Sequence, residues 1–232
     1  MIIYILGYGR SGTTAVSKVL ERKLNAVNLG ELKYIYRSEK DDLLDPYWIN
    51  FKHKEREILT KELKSFDNIY GFIKLNQKTR YKDIWQNIFK KIGVNPDTSI
   101  IIDSSKTTMD SFMRGINLYN SFRNVYFISP KRNTFNTIQS MLKGKNSNLE
   151  RGTKKNKLNH IFHSFFLGIP HLILTNVLSY VYKLYGVYHI DLKFLEDEID
   201  IFIQKEKIKI MPKKINDLPM VYGNRMRLKN KE

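Results

Sequence analysis

The chain has 232 residues, 42% hydrophobic and 27% charged, which suits one α/β domain with a full core, is too short for two, and argues against global disorder. Lys and Arg number 40 against 23 Asp and Glu, a formal net charge of +17. Such a surface attracts polyanions, whether nucleic acid, an anionic bilayer, an acidic polysaccharide or a nucleotide with several phosphates. Cysteine is absent, which removes disulfides, zinc-thiolate sites and cysteine nucleophiles and fits a reducing, cytoplasmic setting.

The first predicted element carries most of the information. Ile2 to Leu6 is a short apolar run that reads as a buried strand and is too brief for the core of a secretory signal. It ends in Gly7-Tyr8-Gly9-Arg10-Ser11-Gly12-Thr13-Thr14, a turn that opens a helix over roughly 12–24. Glycines allow the tight turn, the helix start supplies unpaired N–H groups, the two threonines add hydroxyls, and Arg10 adds a permanent charge with a fork of donors.

Several readings of this loop stand side by side. Gly7-x-Gly9-x-x-Gly12 fits a dinucleotide fingerprint, with Glu31 placed to bind a ribose. Gly7-x-x-x-x-Gly12-Thr13-Thr14 fits a nucleotide-triphosphate loop except that Thr13 stands where the phosphate-reaching lysine belongs. An ordinary glycine turn between strand and helix is the bland alternative.

Farther along, Ala26 to Leu29 reads as a second strand ending at Gly30-Glu31. The charged, helix-prone stretch 41–90, with Trp48, Phe51, Phe66, Tyr70, Phe72 and Trp85 spaced through it, reads as a helical cap insertion. Thr98 to Asp103 and Asn124 to Ser129 are β-branched or apolar runs that predict buried parallel strands. Helices are expected after them, roughly over 108–119 and 134–142, so strand and helix alternate as in a parallel α/β sheet flanked by helices.

The glycine- and lysine-rich stretch 143–157 predicts a mobile loop. The apolar stretch 162–185 contains His163, Pro170, His171, Asn176 and Lys183, which suits core helices broken near Pro170 rather than a membrane span; a membrane-surface face is the other reading. A last strand near Val187 to Ile190 leads into a helix over 192–205 and a basic tail over 206–232. One domain over 1–232 is expected.

Further candidate groups sit at predicted strand ends. Arg132 follows the strand 125–129, and Ser140 lies about two helical turns on, so both side chains can close on one anion or simply open a solvated helix. Asp103, in Asp103-Ser104-Ser105-Lys106, suits either a magnesium ligand or a helix-capping carboxylate. Glu31, besides the ribose reading, suits a helix cap. The five histidines form no metal-binding spacing, and no structural metal is expected.

Taken in order, Gly-x-x-Arg-Ser-Gly-Thr-Thr at 7–14, Gly30-Glu31-Leu32, Asp103-Ser104-Ser105-Lys106, Arg132 with Ser140, and Gly223-Asn224-x-Met226-Arg227 resemble the motifs of sulfotransferases that use 3′-phosphoadenosine 5′-phosphosulfate. The aspartate and proline usual after the arginine of the fourth motif are Asn133 and Thr134 here. The resemblance spans nearly the full chain and implies a three-layer, P-loop-kinase-like sandwich and transfer of a sulfuryl group to a hydroxyl of a glycan, lipid-linked sugar or other small acceptor, without a metal.

It also implies roles. Gly9, Arg10, Ser11, Gly12, Thr13 and Thr14 would hold the 5′-phosphosulfate, Arg132 and Ser140 the 3′-phosphate, and Asn224 and Arg227 the rest of the donor. Arg10 and Glu31 would be catalytic, while Asp103, Ser105 and Lys106 would touch substrate. Peripheral contact with an anionic membrane or polysaccharide is compatible with the charge. The competing functions are a P-loop phosphotransferase and a basic nucleic-acid-binding module; for the latter the aromatic residues are not interleaved with basic ones, and no nucleic-acid partner is expected.

Overall fold

The structure, a computed structural model, describes residues 1–7, 11–30, 51–68, 70–71, 73, 77–105, 107, 111–131, 173, 177 and 180–210. Its centre is a five-stranded sheet of β1 (Ile2–Ile5), β2 (Val27–Asn28), β3 (Ile101–Asp103), β4 (Val125–Lys131) and β5 (Val187–Asp191), in the order β2-β3-β1-β4-β5. Every pairing is parallel, and the register places Tyr4 beside Asp103 on one side and Phe127 on the other. The parallel α/β class expected from the alternation of strand and helix is the observed one.

Parallel strands need crossovers, and these cover both faces of the sheet. Side chains alternate along β1 with period two. Ile3 and Ile5 join Val16, Leu20 and Leu24 of α1 (Thr13–Leu24) and Ile199 and Phe202 of α5 (Leu195–Lys205) in one buried layer. Ile2, Tyr4 and Leu6 face the other way. There they join Leu63 and Phe66 of α2 (His53–Asp67), Trp85, Ile88 and Phe89 of α3 (Lys78–Lys91), and Ile116 and Leu118 of α4 (Arg114–Ser121). Each fully buried apolar side chain of this kind contributes about 1.5–3 kcal/mol.

Local chemistry sets the helix limits. Val16, Leu20 and Leu24 recur every fourth residue, so α1 presents one apolar face; it stops where Asn25 turns left-handed and donates its N–H to the Glu21 carbonyl. Glu55 closes the start of α2 by accepting the Lys52 N–H at 2.8 Å. α3 ends at Gly93, whose φ of 71° is a left-handed turn with nothing against a side chain there.

The expected strands and helices differ from the observed ones mainly at their ends. β3 begins at Ile101 rather than Thr98, α4 begins at Arg114, and β4 runs on through Pro130. Ile128 gives its carbonyl to the Leu6 N–H, so Pro130, two residues on, turns its missing N–H toward the side where β1 has already ended. The helical content expected within 41–90 is present in α2 and α3, which pack on the sheet face itself. Residues 31–50, the predicted helix 134–142, the loop 143–157 and most of the tail lie outside the described residues.

Candidate functional site

The chain leaves β1 toward the α1 face and leaves β3 toward the α4 face. Neighbouring parallel strands whose exits diverge in this way leave a crevice at their carboxyl ends, the usual ligand position in such sheets. The residues that fill this edge follow β1, β2 and β3.

Gly7 and Gly12 shape the first turn. A methyl group on Gly7 would lie 2.5 Å from Ser11 Oγ and 2.6 Å from Thr13 Cγ2, so the turn closes only without a side chain there. Gly12 holds a left-handed φ of 99° at the start of α1, and a side chain on it would run into Leu192. Its carbonyl accepts the N–H groups of Ala15 and Val16 at 2.9 and 3.1 Å. The Thr13 and Thr14 N–H groups have no acceptor within the helix, and the first turn contains no acidic residue. Donors and a positive dipole end with no competing carboxylate suit an anion.

The adjoining loops are stitched to this turn. Thr107 donates its N–H to the Gly7 carbonyl at 2.9 Å, and its Oγ1 accepts the Gly7 N–H at 3.4 Å. Ser104 N–H donates to the Gly30 carbonyl at 3.3 Å, and Gly30 N–H donates to Asn28 Oδ1 at 3.1 Å. Asp103 closes its own turn by accepting the Ser105 N–H at 2.8 Å. This is a local turn ahead of α4, which begins at Arg114, and not a helix cap.

Behind this edge lies a buried polar cluster. Asp67, at the end of α2, accepts from Arg114 Nε at 2.7 Å and from the Tyr81 hydroxyl at 2.8 Å. Burial disfavours the charge on Arg114, but Asp67 and Asp103 more than offset it and hold the guanidinium protonated. For Asp67 burial outweighs Arg114 and Tyr81, and its carboxyl sits above the ordinary range. Burial, reinforced by Asp103, pushes the Tyr4 hydroxyl upward too, with Thr107 beside it pulling the other way. The cluster thus reaches from α2 through α4 to the strand end that carries Asp103.

Of the predicted site residues, Ser11, Gly12, Thr13, Thr14, Asp103 and Ser105 lie at this one edge. Gly9, Arg10, Glu31, Lys106, Arg132, Ser140, Asn224 and Arg227 lie outside the described residues. The sequence reading missed Thr107, Tyr4, Asp67 and Arg114. Arg114 had a signal: it interrupts the apolar run Phe112-Met113-Arg114-Gly115-Ile116, where a charge needs a buried partner. Among the described residues no three His, Asp or Glu side chains gather as a metal site would require.

Fold and edge together define a parallel α/β protein with a glycine turn and a helix N-terminus at the carboxyl end of its central strand. Neither a protein-family model nor a curated protein matches this chain. Among solved structures, one titled "Sulfotransferase Domain from the Curacin Biosynthetic Pathway" is similar at 15% identity and a TM-score of 0.45, covering 96% of this chain and 77% of that one.

Proposed function

We propose that this protein is a sulfotransferase that moves a sulfuryl group from 3′-phosphoadenosine 5′-phosphosulfate to a hydroxyl of a glycan, lipid-linked sugar or other small acceptor. The observation that carries the reading is the position of the Gly7–Thr14 loop, whose described residues form a glycine turn and open α1 at the crevice beside β1. The phosphate-loop wording of the sequence and the place where parallel sheets bind ligands therefore coincide.

In this reading the acceptor oxygen attacks sulfur in line with the bond to the 5′-phosphate. The new S–O bond forms as the bridging S–O bond breaks, and the electron pair leaves on the phosphate of adenosine 3′,5′-bisphosphate. Glu31 takes the acceptor's proton. Arg10 and the N–H groups and hydroxyls of Ser11, Thr13 and Thr14 stabilise the charge that grows on the departing oxygen. Arg10 acts by charge and hydrogen bonding, because arginine does not give up its proton at ordinary pH. Arg132 and Ser140 hold the 3′-phosphate, Gly9 and Gly12 let the backbone approach the donor, Asn224 and Arg227 close over it, and Asp103, Ser105 and Lys106 face the substrate.

Calorimetric titration with adenosine 3′,5′-bisphosphate, run beside ATP with magnesium and beside NAD, tests the reading. Metal-independent micromolar binding of the bisphosphate alone, lost in Arg10→Ala and weakened in Arg132→Ala, is the expected result. Binding of ATP with magnesium instead would assign the loop to a phosphotransferase, with Asp103 as the metal ligand; NAD binding would assign it to a dinucleotide enzyme.

A further inference from the structure

Residues 173, 177 and 180–183 are helical, and their exposed apolar side chains fall on one line. Ile173 is 58% exposed, Val177 57%, Tyr180 68% and Leu184, just past the helical residues, 85%; Val181 stands beside them. Tyr180, Val181 and Leu184 share one face at helical steps of three and four, and positions 173 and 177 continue the same spacing in sequence. Tyr182, half a turn away, is fully buried against Tyr4 and Phe127, so the segment is anchored by its inner face while the outer stripe has no cover among the described residues.

Among the described residues, the charge placed at the stripe is positive. Lys183 lies over the Tyr180 ring at 4.1 Å. His189 is held below its ordinary pKa by burial and by the positive charges of Lys183 and Lys131, which places both cations at this end of the molecule. From Arg151 to Ile190 the sequence contains no Asp or Glu, while Arg151, Lys154, Lys155, Lys157 and Lys183 are all basic. An apolar stripe with a tyrosine at its edge and Lys183 over that ring complements a surface that is apolar below and negative above.

We infer that the Ile173–Leu184 face docks on an anionic lipid bilayer, with Ile173, Val177, Val181 and Leu184 entering the acyl boundary and Lys183 meeting the headgroups. A second copy of the chain is a poorer occupant, because it would bring one +17 molecule against another and Lys183 toward its own counterpart. The docking does not depend on the reaction proposed above.

The test is flotation of the full chain with phosphatidylcholine vesicles, with and without phosphatidylserine, at low and high salt. The protein should float with the serine-containing vesicles only, and added salt should release it. The double variant Val177→Glu, Leu184→Glu changes two exposed positions and should bind about tenfold or more weakly at an unchanged melting temperature. Absence of binding, equal binding to neutral vesicles, indifference to salt, or full binding by the double variant would each overturn the inference. So would a dimer in sedimentation that the double variant abolishes, which would assign the face to self-association.

Discussion

Arg114 Nε donates to Asp67 Oδ2 at 2.7 Å across 47 positions of sequence, and both side chains are buried between the sheet and its helices. The pair joins the last residue of α2 to the first of α4, and Asp67 also takes the Met113 N–H through its carbonyl at 2.8 Å. The Asn117 side chain adds a bond to the Phe66 carbonyl at 3.0 Å. A charged pair therefore fixes the angle between two helices that otherwise touch mainly through apolar side chains.

Replacing Arg114 by Met should leave the Asp67 carboxylate buried without its cation and cost about 3–5 kcal/mol at neutral pH. The deficit should narrow as pH falls. Without Arg114 the folded-state pKa of Asp67 is raised further, and a group raised on folding has its full stability below the unfolded value, about 3.9 for Asp. Urea unfolding of both proteins at several pH values between 4 and 7 measures this. A deficit that stays constant over that range would mean that the loss is one of packing and not of charge.

Two glycines separate binding from stability. Gly7→Ala should push Ser11 and Thr13 out of the first turn and weaken binding of adenosine 3′,5′-bisphosphate on the order of tenfold, about 1.4 kcal/mol. Gly115→Ala puts a methyl group 2.6 Å from the Tyr182 ring and 2.9 Å from that of Phe127, both packed in the core. That change should cost about 1–3 kcal/mol of stability and leave binding intact. Calorimetry and thermal unfolding on both variants give the four readings needed.

The order of elements was legible in the sequence because buried strands and amphipathic helices leave periodic traces. β1, α1 and β4 fall within a residue or two of their expected limits, and α5 ends where expected but begins three residues late, after a 3-10 turn over Leu192–Phe194. The start of β3 was not legible: Thr98, Ser99 and Ile100 have strand chemistry, yet Thr98 and Ser99 donate their N–H groups to the Asn95 carbonyl and stay in a turn. Glycine spacing pointed to the first loop. Its neighbours could not be found that way, since Thr107 reaches Gly7 across 100 positions and Asp67 reaches Arg114 across 47. Tertiary pairing of single polar residues leaves no period to read.

Thr107→Val tests the stitch between the two loops. It removes the hydroxyl that accepts the Gly7 N–H and keeps the shape of the side chain. The expected cost is about 1–3 kcal/mol, since the Gly7 N–H is buried and loses an acceptor. Hydrogen exchange should show the loss locally, with faster exchange at Gly7 and little change in α5, which packs with Ile3 and Ile5 in the other buried layer. Uniform acceleration throughout the chain would place the role of Thr107 in global packing.

Alkaline pH should unfold the protein over a narrow range. Tyr4, Tyr81 and Tyr182 are fully buried, and burial raises the pKa of each, for Tyr81 with the further influence of Asp67. The unfolded chain releases these protons near the ordinary tyrosine value of about 10, whereas the folded chain keeps them. Above that pH the unfolded state binds fewer protons, so stability present below pH 10 is lost as pH rises toward the folded values. Tyrosinate absorbance should therefore rise in two stages, the exposed rings first, and Tyr4, Tyr81 and Tyr182 later, together with loss of helical circular dichroism. Tyr81→Phe removes one of the three and also the hydroxyl bond to Asp67, so it should lower stability at neutral pH while making the alkaline transition less steep. An unchanged slope would mean that Tyr81 ionises in the folded protein.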